Sequence, residues 1–376
     1  MTKFTEIVPE RIRTLATYVP GKPLQKAEAE SGVKLVKLAS NENAFGPSPL
    51  AIQAMEAAAH GVHMYPDADM AELGNRLAER HGILPSQVIV TAGSSDLLDI
   101  VSRTMLGPGL NAVSSERSFT IYPIVTRSTG AEFRQVPCRN DGYDLDAISD
   151  AIDSDTRLVF IANPNNPTGT MIGARELDRF LERLPENLVV VLDEAYFEYA
   201  DRLARERGVE YSHSLEYVRQ ERSVLVLRSF SKIYGLAGVR IGYGMGPAEL
   251  LNYLARAKTI FIVNSVGEAG ALAALDDHEH RERTLRNNSE QLPLLTRQLR
   301  ELGFAPVESW ANFIYFETGE DASALARRLQ MNGVIVRPLG GSWGARTAIR
   351  VSVGTPDENR KFIDALKHVV NGVTAG

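Results

Sequence analysis

Cysteine is almost missing from this chain. Cys138 is the single one, so no internal disulfide can form, and no Cys/His cluster has the spacing of zinc ligands. Apolar runs of bilayer length are missing too. The first residues, Met1 to Arg13, are studded with charges and lack the apolar stretch of a secretory signal. Basic charge is not in excess: 41 Lys and Arg stand against 47 Asp and Glu, for a net charge of −6, which argues against a nucleic-acid surface. No fixed-period repeat or low-complexity tract appears, which argues against a solenoid, and no Pro/Gly/Ser-rich linker divides the chain. What is present is ordinary for a soluble globular protein: 376 residues, 44% hydrophobic and 23% charged. That length suggests two domains, or one large domain with an appended lobe. The expected location is the cytoplasm, with no membrane or nucleic-acid partner and no metal.

From about Val88 to Gly244, short apolar runs alternate with longer helical patterns. The runs are 88–91, 111–114, 132–136, 158–162, 188–192, 224–227 and 240–243. Near-continuous Val/Ile/Leu runs read as strands buried on both faces of a mostly parallel sheet. Patterns such as Leu97-Leu98-Ile100-Val101-Met105 supply amphipathic covering helices. The fold class is α/β. After Pro247 the texture changes. Helical patterns cover about 248–275 and 279–302, strand-like pieces follow at 313–316, 333–336 and 348–352, and a helix over 356–370 closes the chain. This mixture predicts a smaller α+β lobe. The arm up to about Lys37 has little sheet character and is expected to pack on that lobe, with a cleft between the parts.

The chemistry concentrates in Arg228-Ser-Phe-Ser-Lys-Ile-Tyr-Gly-Leu-Ala-Gly-Val-Arg240. A lysine becomes a covalent nucleophile only when enough of it is neutral, through desolvation or nearby positive charge. Ser229, Ser231 and Arg240 around Lys232 offer donors of the kind that hold a phosphate. A reactive lysine beside an anion site is what a pyridoxal-phosphate Schiff base requires, although a polar loop with a solvated lysine has the same composition. Further motifs follow strands, where open α/β sheets bind ligands. Ser94 and Ser95 open a helix and can present hydroxyls and N–H groups to an anion, or act as a plain serine cap. The Asn163-Pro-Asn-Asn-Pro-Thr-Gly169 string fixes a rigid turn that could hold Asn166 toward an oxygen on a ring. Asp193 ends the most apolar run. Such a carboxylate is costly to bury unpaired, and it can face a protonated pyridine nitrogen, cap a helix or join a surface salt bridge. Tyr196, three residues on, could donate its hydroxyl to the ring's phenolic oxygen. Arg350, in the apolar strand pattern 349–354, suits a carboxylate or phosphate, with Arg337 as a second positive charge; a buried ion pair is the alternative for either.

With these residues the chain resembles the fold-type-I, pyridoxal-phosphate-dependent aminotransferases. Within them it is most similar to the histidinol-phosphate aminotransferases and their aromatic-aminotransferase relatives. The resemblance covers nearly the whole chain, from Tyr18-Val-Pro-Gly-Lys22 and Ser40-Asn-Glu-Asn-Ala-Phe-Gly-Pro47, through Tyr65-Pro-Asp67, to Arg350. It implies a large domain over 38–255 with a central, mostly parallel seven-stranded sheet in an α/β/α sandwich. A smaller α+β domain would comprise 1–37 and 256–376. It implies that Lys232 carries pyridoxal 5'-phosphate and shuttles the substrate proton, while Asp193 binds the pyridine nitrogen and Asn166 and Tyr196 the phenolic oxygen. Phe119 would stack on the ring. Ser94, Ser95, Ser229, Ser231 and Arg240 would form the phosphate cup, with Tyr65 reaching it from the second subunit of a homodimer. Arg350, with Arg337, Tyr18, Asn43 and Asn166, would meet the substrates.

Three departures from the family pattern bear on the amino donor. Phe119 stands where many relatives have tyrosine, Ala44 replaces a usual proline, and Ile260 to Glu268 differs from the usual Pro-Phe-Asn-Val-Asn segment. The expected activity is transfer of an amino group from histidinol phosphate to 2-oxoglutarate, in histidine biosynthesis. Alternatives are an aromatic amino-acid aminotransferase and a pyridoxal-phosphate-dependent decarboxylase acting on a phosphorylated amino acid.

Overall fold

The computed structural model describes residues 3–17 and 23–373. Its strands are β1 (Val36–Lys37), β2 (Val88–Thr91), β3 (Asn111–Ser115), β4 (Glu132–Val136), β5 (Thr156–Ala162) and β6 (Val189–Asp193). They continue as β7 (Val224–Ser229), β8 (Gly242–Met245), β9 (Phe313–Glu317), β10 (Val334–Ile335), β11 (Arg337–Pro338) and β12 (Ala348–Ser352). Seven of them form the central sheet in the order β2-β8-β7-β6-β5-β3-β4. All neighbours pair parallel except β8, which runs antiparallel to both β2 and β7. The sheet is covered on both faces, and its middle strands β6 and β7 are buried along their whole length, as their unbroken apolar runs require. This is the expected α/β/α sandwich.

The last central strand begins at Gly242, two residues later than its apolar run suggests. Arg240 takes a left-handed φ of 55°, which no extended strand accommodates. At Gly242 a Cβ would lie 2.8 Å from the Ser94 backbone nitrogen, so only glycine lets β8 pass this close to the helix Ser94–Met105.

The C-terminal part holds an antiparallel sheet, β11-β12-β9, and a two-stranded parallel sheet, β1-β10. The single strand expected over 333–336 is therefore two short ones. The chain changes sheets at Val336, pairing first with β1 and then with β12. The long helix expected over 248–275 is broken into Ala248–Ala257 and Ser265–Asp276. Lys258 leaves helical geometry, and Asn264 caps the second helix by accepting the Gly267 N–H at 2.7 Å. This second helix lies against Pro49–Ala58 and gives Ala271, Ala274 and Leu275 to the core of the large sheet. The N-terminal arm packs on the C-terminal part as expected and also reaches the central sheet. It touches both parts: Arg11 bonds the Ser128 carbonyl beside the central sheet, whereas β1 joins β10. Among the described residues no helix is long and apolar enough to cross a membrane.

Candidate active site

The strands β5, β6 and β7 run side by side, with Ala162 in register with Asp193 and Asp193 with Leu227. Their carboxyl ends open on one cavity of about 170 Å³. Every residue expected to hold a cofactor lines it except Tyr65: Asn166 follows β5, Asp193 ends β6 with Tyr196 just beyond, and Ser229, Ser231 and Lys232 follow β7. Ser94, Ser95, Phe119 and Arg240 complete it.

Lys232 is half-buried beside Tyr196, with Nζ 5.6 Å from the ring centroid, and donates to the Ser40 carbonyl at 3.2 Å. Burial lowers its pKa to about 8, helped by the positive charges of Arg350 and Arg240. The sequence supplied both causes of activation, and the fold applies both.

Asp193 is 5% exposed and, among the described residues, has no cation bonded to it. The Tyr122 hydroxyl donates to Oδ2 at 3.1 Å and the Ala195 N–H to Oδ1 at 3.2 Å. Desolvation raises its pKa to about 6 against those two bonds. A cationic ring nitrogen would relieve that burial.

The Asn-Pro-Asn-Asn-Pro string divides its labour. Asn163, whose bond to Pro164 is cis, exchanges two hydrogen bonds with the Ile172 backbone, and Asn165 donates to the Arg117 carbonyl. Two asparagines thus brace the turn, leaving Asn166 at the cavity with its Oδ1 accepting from Arg350 Nη1. Tyr196 reaches the same cavity with its hydroxyl bonded to Asn41 Nδ2 at 2.9 Å.

The anion end is equally specific. Gly93 caps the helix Ser94–Met105 without a side chain, so the Ser94 and Ser95 N–H groups face the cavity with no acceptor among the described residues. Arg240 Nη1 donates to Ser231 Oγ at 3.3 Å, and a Cβ at Gly93 would lie 2.5 Å from Arg240 Nη2. Four hydroxyls, two free N–H groups and a guanidinium make a donor set that fits a phosphate. The lysine, the carboxylate and this cup together fit pyridoxal phosphate.

The other candidates are placed less directly. Arg350 is buried, donates through Nη2 to the Ala39 carbonyl at 3.0 Å, and has Phe313 and Trp343 rings within 6 Å of its guanidinium carbon, at 5.4 and 5.8 Å. Arg337 lies opposite Arg350 on β11, half-buried. Asn43 spends its side chain on Ile233, Thr284 and the Phe45 N–H, so it braces the loop next to Lys232 rather than lining the cavity. Tyr65 is exposed and stacks on Phe261 at 4.7 Å, away from this cavity. Tyr18 lies outside the described residues.

Two residues at the site were not picked out from the sequence. Tyr122 lies one helical turn after Phe119, a spacing that could have flagged it, but a buried tyrosine reads as core. Asn41 stands inside the Ser40–Pro47 stretch without any local mark of its role.

The profile of the family described as aminotransferase class I and II matches residues 33–366. The chain is 44% identical over 373 residues to histidinol-phosphate aminotransferase 2 of Pseudomonas aeruginosa, covering 98% of this chain and 99% of that one. With histidinol-phosphate aminotransferase 2 of Methylococcus capsulatus it shares 43% over 366 residues, covering 96% and 97%. Among solved structures, histidinol-phosphate aminotransferase from Sinorhizobium meliloti in complex with pyridoxal-5'-phosphate superposes with a TM-score of 0.87. The identity there is 27%, covering 97% of this chain and 98% of that one.

Proposed function

The chain belongs to the class I and II aminotransferases, and from that premise we propose that it is a histidinol-phosphate:2-oxoglutarate aminotransferase that uses pyridoxal 5'-phosphate. One observation carries the chemistry: a half-buried lysine of lowered pKa shares one cavity with a buried carboxylate that has no bonded cation among the described residues. The relatives' shared activity supports the donor. The cytoplasm and a homodimer belong to the same proposal. Exposed Val62, Met64, Tyr65, Ile260 and Ile262 offer an apolar surface for the second copy, which would bring its Tyr65 to this chain's phosphate cup.

When bound, pyridoxal phosphate supplies an aldehyde for the amine to capture and a cationic ring that takes up the electron pair left by the departing α-proton. The protein supplies the rest. Lys232 Nζ, with its pKa lowered to about 8, would hold the cofactor's aldehyde carbon and, when free, would carry the proton to and from the substrate carbon. Asp193 would hold a proton on the pyridine nitrogen. Asn166 and Tyr196 would bind the phenolic oxygen, and the Ser94–Arg240 cup would hold the phosphate. Arg350 takes the α-carboxylate of glutamate. In the other half-reaction the same arginine, with Arg337 and Tyr18, meets the phosphate of histidinol phosphate.

The aromatic rings beside Arg350 favour one competing donor, an aromatic amino acid. A stopped-flow absorbance scan with histidinol phosphate, phenylalanine and glutamate separates the two. Fastest bleaching of the cofactor band by histidinol phosphate, with recovery on 2-oxoglutarate, is expected. Bleaching by phenylalanine but not by histidinol phosphate would transfer the protein to the aromatic aminotransferases, and carbon dioxide release without a keto acid would mark a decarboxylase.

A further inference from the structure

Asn41 joins three parts of the chain. It is 1% exposed and sits at a left-handed φ of 55°, a conformation that asparagine and aspartate tolerate better than most residues. Its backbone N–H donates to Ser352 Oγ at 2.8 Å, and Asn312 Nδ2 donates to its carbonyl at 3.2 Å. Ser352 Oγ lies 3.1 Å from Asn41 Oδ1, and Asn41 Nδ2 lies 2.9 Å from the Tyr196 hydroxyl.

The proton directions follow from what each atom can give. Ser352 Oγ already accepts the Asn41 N–H, so its own proton goes to Oδ1, which turns the amide nitrogen toward Tyr196. An amide nitrogen only donates. The Tyr196 oxygen is therefore an acceptor in this contact, and its own proton must point elsewhere. Tyr196 makes no other side-chain hydrogen bond among the described residues, its ring packs edge-on against Phe313, and it lines the cavity.

We propose that Asn41 is a positioning residue that sets the direction of the Tyr196 hydroxyl proton, aiming it into the cavity at the cofactor's phenolic oxygen. The proposal rests on reading the cavity as a pyridoxal-phosphate site. Ser352 and Arg350 stand two apart on β12, hence on one face, so the strand that carries the substrate arginine also holds the amide that orients the tyrosine. A hydrogen bond to the phenolic oxygen draws negative charge from it. The protonated nitrogen linking Lys232 to the cofactor then loses part of its counter-charge and titrates at lower pH.

The test is the pH midpoint of the visible absorbance of the holoenzyme. Asn41→Asp keeps the shape and the acceptor for Ser352, but presents a carboxylate oxygen to Tyr196 and recaptures its proton. The midpoint is expected to rise by about one pH unit, as in Tyr196→Phe. Adding Asn41→Asp to Tyr196→Phe is then expected to add little, whereas a bare charge effect would persist in that background. Ser352→Ala, which keeps the Asn41 side chain but removes the hydroxyl that receives its backbone N–H and fixes its amide, provides a second variant with a smaller shift in the same direction. A wild-type band with unchanged midpoints in Asn41→Asp and Ser352→Ala, or equal Asn41→Asp shifts with and without the Tyr196 hydroxyl, overturns the proposal while the cofactor reading stands. A wild-type protein that takes up pyridoxal phosphate without any visible band overturns the reading itself.

Discussion

Asp193 and Glu194 are consecutive buried carboxylates, and the protein treats them in opposite ways. Glu194 is fully buried and receives Arg228 through Nε and Nη2 at 3.0 and 2.8 Å, with Ser212 and Ser214 filling the remaining positions. Arg228 in turn lies over the Phe197 ring. Asp193, one residue earlier, receives only a phenol and a backbone N–H. Glu194 is neutralised by a bonded guanidinium, whereas Asp193 has no bonded cation among the described residues and feels only the more distant charge of Lys232. A buried carboxylate with no bonded cation is costly, and such groups concentrate at functional sites. On the proposed function, the same strand end holds a structural anion and a functional one, told apart by their partners rather than by their type.

The comparison can be broken most severely at Lys232. Lys232→Ala is expected to remove transamination by on the order of 10³-fold or more and to abolish the cofactor's visible band together with it. Substantial turnover without added amine would sink the assignment.

Next come the two carboxylates themselves. Glu194→Ala strands Arg228 in the core and is expected to cost about 3–5 kcal/mol in denaturant unfolding. Asp193→Asn should keep the fold and cofactor binding but lose most of the rate. The sign follows from its pKa. Burial lifts Asp193 from 3.8 to about 6, so the folded state keeps a proton that the unfolded chain releases. This group's contribution to stability falls as pH rises through that window, and an uncharged asparagine at pH 7 avoids the loss. A large drop in melting temperature for Asp193→Asn, or near-normal activity, would erase the distinction between the two sites.

A pH measurement sharpens the functional half. Capture of pyridoxal phosphate by the apoprotein requires neutral Lys232, so its rate should rise with pH and reach half-maximum near pH 8 rather than near the ordinary lysine value of 10.5. Stopped-flow absorbance on mixing reads this directly. The smallest effect is expected from Tyr122→Phe, which removes one donor to the ionised Asp193 and lifts its pKa further. The acid limb of the rate profile should move up by less than about one unit; no movement would exclude Tyr122 from that role.

The legible parts of this molecule are those where function follows a strand within a few residues. The runs 158–162, 188–192 and 224–227 mark β5, β6 and β7, and Asn166, Asp193 and Lys232 lie just past them, so local order carries both fold and chemistry. Tyr122 reaches Asp193 across 71 positions and Asn41 reaches Ser352 across 311, and no local pattern encodes either pairing. The helix break near Lys258 and the sheet change at Val336 were hidden for a related reason. Each is decided by a partner elsewhere or by a single capping side chain, against an apolar periodicity that continues through it.

The length of those last connections has a consequence for synthesis. At the usual pace of translation, Asn41 is added roughly 15 to 60 s before Ser352. A chain halted after Arg240 already carries every residue that lines the cavity, yet lacks Arg350, Asn312 and the strand that anchors the early segment. Maturation of this enzyme is therefore expected to be a late event, with competence arriving only after the final third of the polypeptide has emerged.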